Sequence, residues 1–197
     1  MKKYVPILLL LLLACTNPFS VRDPDQPKIN NQLQAANSLQ NNPDSLLKKI
    51  QYAFSEENVN FYLDCIADSP QVSVPFTFIP QQDAANRLLP WQPWNPDDEY
   101  QYFFSLIGDP ELEKLTLQIY NIRDWTLVNA SQDSMQTRFD YEIQLKSKDG
   151  EKFFLGQSIF KIVRSGQSLW YVYFWEDLKI KSDQTEPTWS ELKANYR

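Results

Sequence analysis

The stretch "SMQTRFDYEIQL", residues 134–145, constrains the fold more than any other. Met135, Thr137, Phe139, Tyr141, Ile143 and Leu145 alternate without a break with Gln136, Arg138, Asp140, Glu142 and Gln144. Successive side chains of a strand point to opposite faces, so the run reads as one long strand with an apolar face and a wet one. "KSKDGEKF" supplies a hairpin turn around Asp149-Gly150. "FFLGQSIFKIVR", a turn at Ser165-Gly166 and "LWYVYFWEDLKI" continue the meander, and "LTLQIYNI" precedes it with Leu115, Leu117 and Ile119 on one side. The C-terminal half is therefore an antiparallel sheet with one face to be covered.

The N-terminal half offers the cover. Asn42 is suited to cap a helix, Pro43 to its first position and Asp44 to its dipole. Leu46, Leu47, Ile50, Ala53 and Phe54 form a stripe at helical spacing. A shorter helix carries Val59, Tyr62, Leu63 and Ile66 and ends at Asp68-Ser69-Pro70. "VSVPFTFI" alternates like a strand, and Pro75 assigns it to an edge or a bulge. A Pro- and Trp-rich loop, "LLPWQPWNPDDEY", leads into a short helix over Asp97 to Ile107. The class is α+β: N-terminal helices packed on a curved, mostly antiparallel sheet.

Ahead of this domain, Lys2 and Lys3 precede a ten-residue apolar run, Val5 to Ala14. Spanning a bilayer takes about 20 apolar residues, so the run fits a secretory signal peptide. Its end, Leu12-Leu13-Ala14-Cys15, resembles the lipobox of bacterial lipoproteins. That resemblance implies cleavage before Cys15, lipidation of Cys15 and membrane attachment through its acyl chains. Thr16 in place of Asp, by the sorting rules of enteric bacteria, implies the outer membrane of the cell envelope. Residues 1–14 are then signal peptide, and residues 15–42, rich in Asn, Gln, Pro and Asp, a tether without steady apolar period. Residues 43–197 form a single domain with a short C-terminal helical tail.

Charge and composition exclude several classes. The net charge of −6 becomes −8 once Lys2 and Lys3 are removed, and no Lys/Arg cluster offers itself to a phosphate backbone, so nucleic acid is not a partner. The chain has no His, which removes Ser-His-Asp and Cys-His catalysis and His-ligated zinc in their usual forms. With Cys15 lipidated, Cys65 in "NFYLDCIA" stands alone and reads as a small buried hydrophobe. Four glycines build no phosphate-cradling loop, and no cofactor is called for.

The helix pair "LLKKIQYAFSEENVNFYLDCIADS" and the hairpin "GQSIFKIVRSGQSLWYVYFWED" resemble the nuclear-transport-factor-like cone, a cystatin-like α+β fold shared with ketosteroid isomerases and polyketide cyclases. The tail "PTWSELKANY" is similar to that of small tethered relatives. The resemblance covers residues 43–180 and implies a cone interior that hosts enzymes, binding modules and scaffolds alike. No catalytic residue carries over from the isomerases.

On residues alone, "LWYVYFWEDL" is apolar on both faces. Unbroken alternation puts Leu169, Tyr171, Tyr173, Trp175 and Asp177 on one side, and Trp170, Val172, Phe174 and Glu176 on the other. Packing outweighs a pocket here, with a second copy of the chain as one cover for the sheet face. The sharper reading is an aromatic pocket lined by Tyr141, Tyr173 and Trp175, with Asp177 at its rim as a base, able to take a small apolar ligand. Asp140 points away from Tyr141, so "FDYE" is no dyad. Trp91 and Trp94 would lid the cone. Two functions follow: a membrane-anchored, non-enzymatic binding or scaffold domain, or an isomerase- or cyclase-type enzyme using an Asp/Tyr pocket. A filled or solvent-open cone favours the first, and a desolvated carboxylate within a closed cone favours the second.

Overall fold

A computed structural model describes residues 39–68, 71–88, 93–128, 130 and 133–197. The apolar leader, Cys15, the tether up to residue 38 and Trp91 lie outside the described residues. Helix α1 (Pro43–Ser55) starts at the expected cap, where the Asn42 side chain accepts from the Ser45 N–H at 2.9 Å. Its stripe Leu46, Leu47, Ile50, Ala53 and Phe54 is buried. Glu57 takes a left-handed backbone, φ 49°, to turn the chain. Asn58 then caps α2 (Val59–Leu63) by accepting from the Phe61 N–H.

After β1 (Thr77–Ile79) and α3 (Gln82–Leu88), helix α4 (Pro96–Ile107) opens on a reciprocal cap between Asn95 and Asp98. The strands β2 (Leu112–Tyr120), β3 (Thr126–Leu127), β4 (Ser134–Ser147), β5 (Gly150–Arg164) and β6 (Trp170–Leu178) follow, and α5 (Trp189–Asn195) ends the chain. One sheet runs β1-β6-β5-β4-β2, with β3 also paired to β4. Only β1 runs parallel to its neighbour, at the edge that Pro75 points to. This is the expected α+β architecture, a curved and mostly antiparallel sheet under helices. Phe139, Tyr141 and Ile143 of β4 are fully buried beneath them.

Two features depart from the sequence reading. The first is a β-bulge. Lys161 of β5 faces Phe174 while its neighbour Ile162 faces Val172, which leaves Tyr173 as an extra residue in β6. An extra residue inverts the alternation. Trp170 and Val172 belong to the core before the bulge, Trp175 and Asp177 after it. Most of the apparent doubly apolar pattern is one inward face read through a change of phase, though Tyr171, of the other parity, is buried as well. The second is α5, whose Trp189, Ser190, Leu192 and Lys193 are completely buried, so the tail is part of the interior. Near the other end, Gln40 is also buried, within the stretch read as tether. Its carbonyl accepts from the Trp170 N–H, and its side chain bonds the Trp170 carbonyl and the Lys49 ammonium.

Candidate functional site

The site lies where β4, β5 and β6 face α4 and α5. Tyr141 sits mid-β4 and Asp177 near the end of β6, with β5 between them. Tyr141 pairs with Gly156 in the register of β4 and β5, and Asp177 pairs with Ser158. The phenol crosses β5 over Gly156 to reach the carboxylate, donating to Asp177 Oδ1 at 2.6 Å. Gly156 is what permits the crossing. A Cβ there would stand 2.2 Å from Tyr141 Oη and 2.8 Å from the Leu178 carbonyl oxygen.

The start of α5 closes over this pair. The Ser190 N–H and Oγ–H both donate to Asp177 Oδ2, at 2.8 and 2.5 Å, and the Trp189 N–H donates to Tyr141 Oη at 2.7 Å. Ser190 Oγ in turn accepts from the Gln81 N–H. The Trp189 indole packs on Trp175, Tyr141 and Phe54 with ring centroids 4.4, 5.2 and 5.2 Å away, and its Nε1–H donates to Tyr102 Oη. Burial pushes the Asp177 carboxyl above its usual value, against the lowering effect of the Ser190 and Tyr141 hydrogen bonds. The same burial raises the Tyr141 phenol well above the ordinary phenol value, and Asp177 adds to it.

A second polar centre lies on α4. Glu99 falls on the inward stripe with Tyr102, Phe103 and Leu106, and all four are fully buried. Its carboxylate accepts from Tyr62 Oη at 2.6 Å, from Trp94 Nε1 at 2.7 Å and from the Lys193 ammonium of α5. The ammonium stands 3.5 Å from the ring centroid of Trp175, 3.8 Å from Phe78, 5.4 Å from Trp94 and 5.7 Å from Tyr102. Burial brings the Lys193 pKa down to about 8, though Glu99 pulls the other way.

The structure thus brings Tyr141, Trp175 and Asp177 together, as the sequence suggested, and moves Tyr173 out of the group. Beyond the bulge, Tyr173 is half-buried beside Val163 and Gly166, its hydroxyl 3.1 Å from Ser134 Oγ. Asp177 is not at a rim, since none of its surface is exposed. Trp94 is a buried partner of Glu99 rather than an outer lid. Asp140 points outward, accepting from Asn121 and Gln157, away from Tyr141. Cys65 is buried, donates to the Phe61 carbonyl and has its thiol pushed up to about 12 by desolvation, which makes it unreactive.

Sequence reasoning missed Glu99, Gly156, Trp189, Ser190 and Lys193. The helical tail was expected and its burial was not: Thr188 and Glu191 stand in capping-box spacing, and the Glu191 carboxylate accepts from the Thr188 N–H. Grooves on the described surface lie elsewhere. One of about 560 Å³ sits on the outer sheet face, between Arg138, Lys161 and Phe174. The interior around Asp177 holds packed side chains.

No family profile matches the sequence. No curated protein matches it either. Solved structures do match in fold. A candidate scytalone dehydratase from Novosphingobium aromaticivorans superposes with a TM-score of 0.52 at 10% identity, covering 80% of this chain and 93% of that one. A nuclear transport factor 2-like superfamily protein from Salmonella enterica gives 0.51 at 11% identity, over 79% and 98%. A hexachlorocyclohexane dehydrochlorinase gives 0.50 at 9% identity, over 77% and 88%. At such identities the likeness is one of fold: this domain has the cone fold of nuclear-transport-factor-2-like structures.

Proposed function

We propose that this protein is a lipid-anchored envelope lipoprotein whose cone serves as a binding or scaffold module and not as an enzyme. One observation carries the reading of the cone. Asp177 and Tyr141 stand where a carboxylate–phenol pair could shuttle a proton, yet the chain's own α5 occupies the space a substrate would need and engages both groups. A general base must reach the proton it abstracts, and here the protein's backbone and Ser190 hold that position. The anchor rests on the lipobox-like Leu12–Cys15 segment, with the outer membrane as destination from Thr16. A second copy through the outer sheet face is the partner this reading favours, since Ile159 and Phe174 lie there beside Lys161.

Labelled palmitate tests the anchor: Cys15→Ser should abolish uptake and leave an uncleaved precursor, and retained label would refute it. A ligand and turnover screen against wild type and Asp177→Asn tests the cone. Binding without turnover supports the module, whereas turnover lost only in Asp177→Asn refutes it.

The enzyme reading keeps one specific support. Asp177 is a desolvated carboxylate with a raised pKa, 2.6 Å from a phenol, the pairing that general acid–base chemistry uses. Fold neighbours are described as a candidate dehydratase and a dehydrochlorinase. That reading requires α5 to withdraw before substrate enters, and a C-terminally truncated chain that gains activity would favour it.

A further inference from the structure

We propose that the interior between α4 and β6 is a binding cage for a small primary alkylammonium ion, and that Lys193 is its tethered occupant. The inference deepens the binding-module reading by naming the ligand class, and it rests on that reading of the cone.

The cage is built without α5. Phe78 comes from β1, Trp175 from β6, Trp94 from the turn before α4, and Tyr102 and Glu99 from α4 itself. Glu99 is fixed by two donors that also lie outside α5, the Tyr62 hydroxyl and the Trp94 indole N–H. The Trp175 indole is fixed by its Nε1–H on Ser158 Oγ at 3.1 Å. The last helix supplies the cation, and its Trp189 braces two of the walls, packing on Trp175 and donating to Tyr102 Oη. A box of aromatic faces around one carboxylate is the chemistry that recognises ammonium groups, and a receptor held rigid before its ligand arrives binds more tightly.

Core packing does not explain the arrangement. Buried ion pairs are often no more stabilising than well-packed apolar residues of equal volume. Lys193 nevertheless lies with no exposed surface, donates to Glu99 and otherwise looks onto ring faces, two of them within 4 Å. It shares one face of the seven-residue helix α5 with Leu192 and Trp189. The geometry is that of a ligand whose tail is the protein.

The test empties the seat and refills it. In the full chain, Lys193→Ala removes three methylenes and the ammonium, which is n-propylammonium in outline. Propylammonium chloride should raise the Tm of Lys193→Ala saturably, by roughly 3–5 °C at about ten times its Kd. Isosteric 1-propanol, and sodium chloride at equal ionic strength, should not. Lys193→Met fills the cage with a neutral stem and should show no amine effect. Should Lys193→Ala fail to fold alone, its recovery of the native circular dichroism spectrum on dilution into propylammonium, and not into propanol, takes the place of the Tm shift. Equal response to propanol, or none to the amine in either format, overturns the cage. Such a failure leaves the binding-module reading standing, because that reading falls only if turnover is found in the screen above.

Discussion

Asp177→Asn separates a rim carboxylate from an interior one. A carboxylate at an exposed strand end would be nearly silent on replacement. In the structure its two oxygens accept from Tyr141 Oη, Ser190 N and Ser190 Oγ at 2.6, 2.8 and 2.5 Å, with no exposed surface. An amide has one acceptor oxygen. If that oxygen stays with the two Ser190 donors, the NH₂ group meets Tyr141 Oη, which already accepts from the Trp189 N–H, and the phenolic proton loses its acceptor. One buried donor without a partner costs about 1–3 kcal/mol. The two Ser190 bonds also fall from charge-assisted to neutral, at roughly 1 kcal/mol each. Removing a desolvated charge returns part of this, since burial holds the Asp177 carboxyl above its usual value. The net expectation is a loss of about 2–3 kcal/mol, or about 4–10 °C in Tm for a domain of this size. Thermal melts followed by circular dichroism measure it. The cycle with Tyr141→Phe should return a coupling of about 1–2 kcal/mol, because both changes break one network. A Tm for Asp177→Asn within about 1 °C of wild type, or above it, refutes the assignment.

Trp175→Ala should cost about 3–5 kcal/mol by chemical denaturation, as its ring packs on Phe78, Phe160 and Trp189 with 1% of its surface exposed. Gly156→Ala places a Cβ 2.2 Å from Tyr141 Oη. It should cost about 1–3 kcal/mol and alter the near-ultraviolet dichroism of the aromatic interior, whereas an unchanged spectrum and melt would show that Tyr141 does not cross β5. The Lys193 pKa of about 8 lies below its ordinary 10.5, so between those values the unfolded chain holds a proton that the folded one lacks. Lys193 therefore makes stability rise with pH across that window, and Lys193→Met should flatten the rise. The buried phenols of Tyr62, Tyr102 and Tyr141 are raised above 10, which makes stability fall beyond that pH. Urea titrations between pH 7 and 11 check both limbs. The Cys65 thiol should react with a thiol reagent only at the rate of global unfolding, and fast labelling of the native protein would contradict its burial.

Legibility followed the range over which each signal acts. The stripe of α1, its Asn42 cap and the alternation of β4 are local rules, each satisfied within one element, and the structure keeps them residue for residue. The bulge at Tyr173 is a relation between two strands. It depends on how β5 pairs, and the neighbouring side chains from Leu169 to Trp175 are apolar enough on both parities to hide the change of phase. Gly156 likewise needs the register before its meaning appears, since the phenol it admits comes from the neighbouring strand.

The two charges of the interior could have been found together. On α4 the stripe Glu99, Tyr102, Phe103, Leu106 has one acid among apolar residues, and on α5 the stripe Trp189, Leu192, Lys193, Tyr196 has one base. A lone charge on an otherwise apolar helical face predicts a buried partner of opposite sign, because an unpaired one is too costly to bury. Applied to the whole chain, that rule offers Glu99 two basic partners, Lys193 of the tail and Lys49 on the stripe of α1. It also changes what the tail is. A desolvated carboxylate speaks for an enzyme and a filled cone for a binding module, and both are present, because the segment that fills the cone is the one that desolvates Asp177. Function then turns on whether α5 stays. While it remains seated, its Ser190 and Lys193 fill hydrogen-bonding positions of Asp177 and Glu99. The enzyme reading therefore needs the departure of that helix before proton transfer, and the binding-module reading does not.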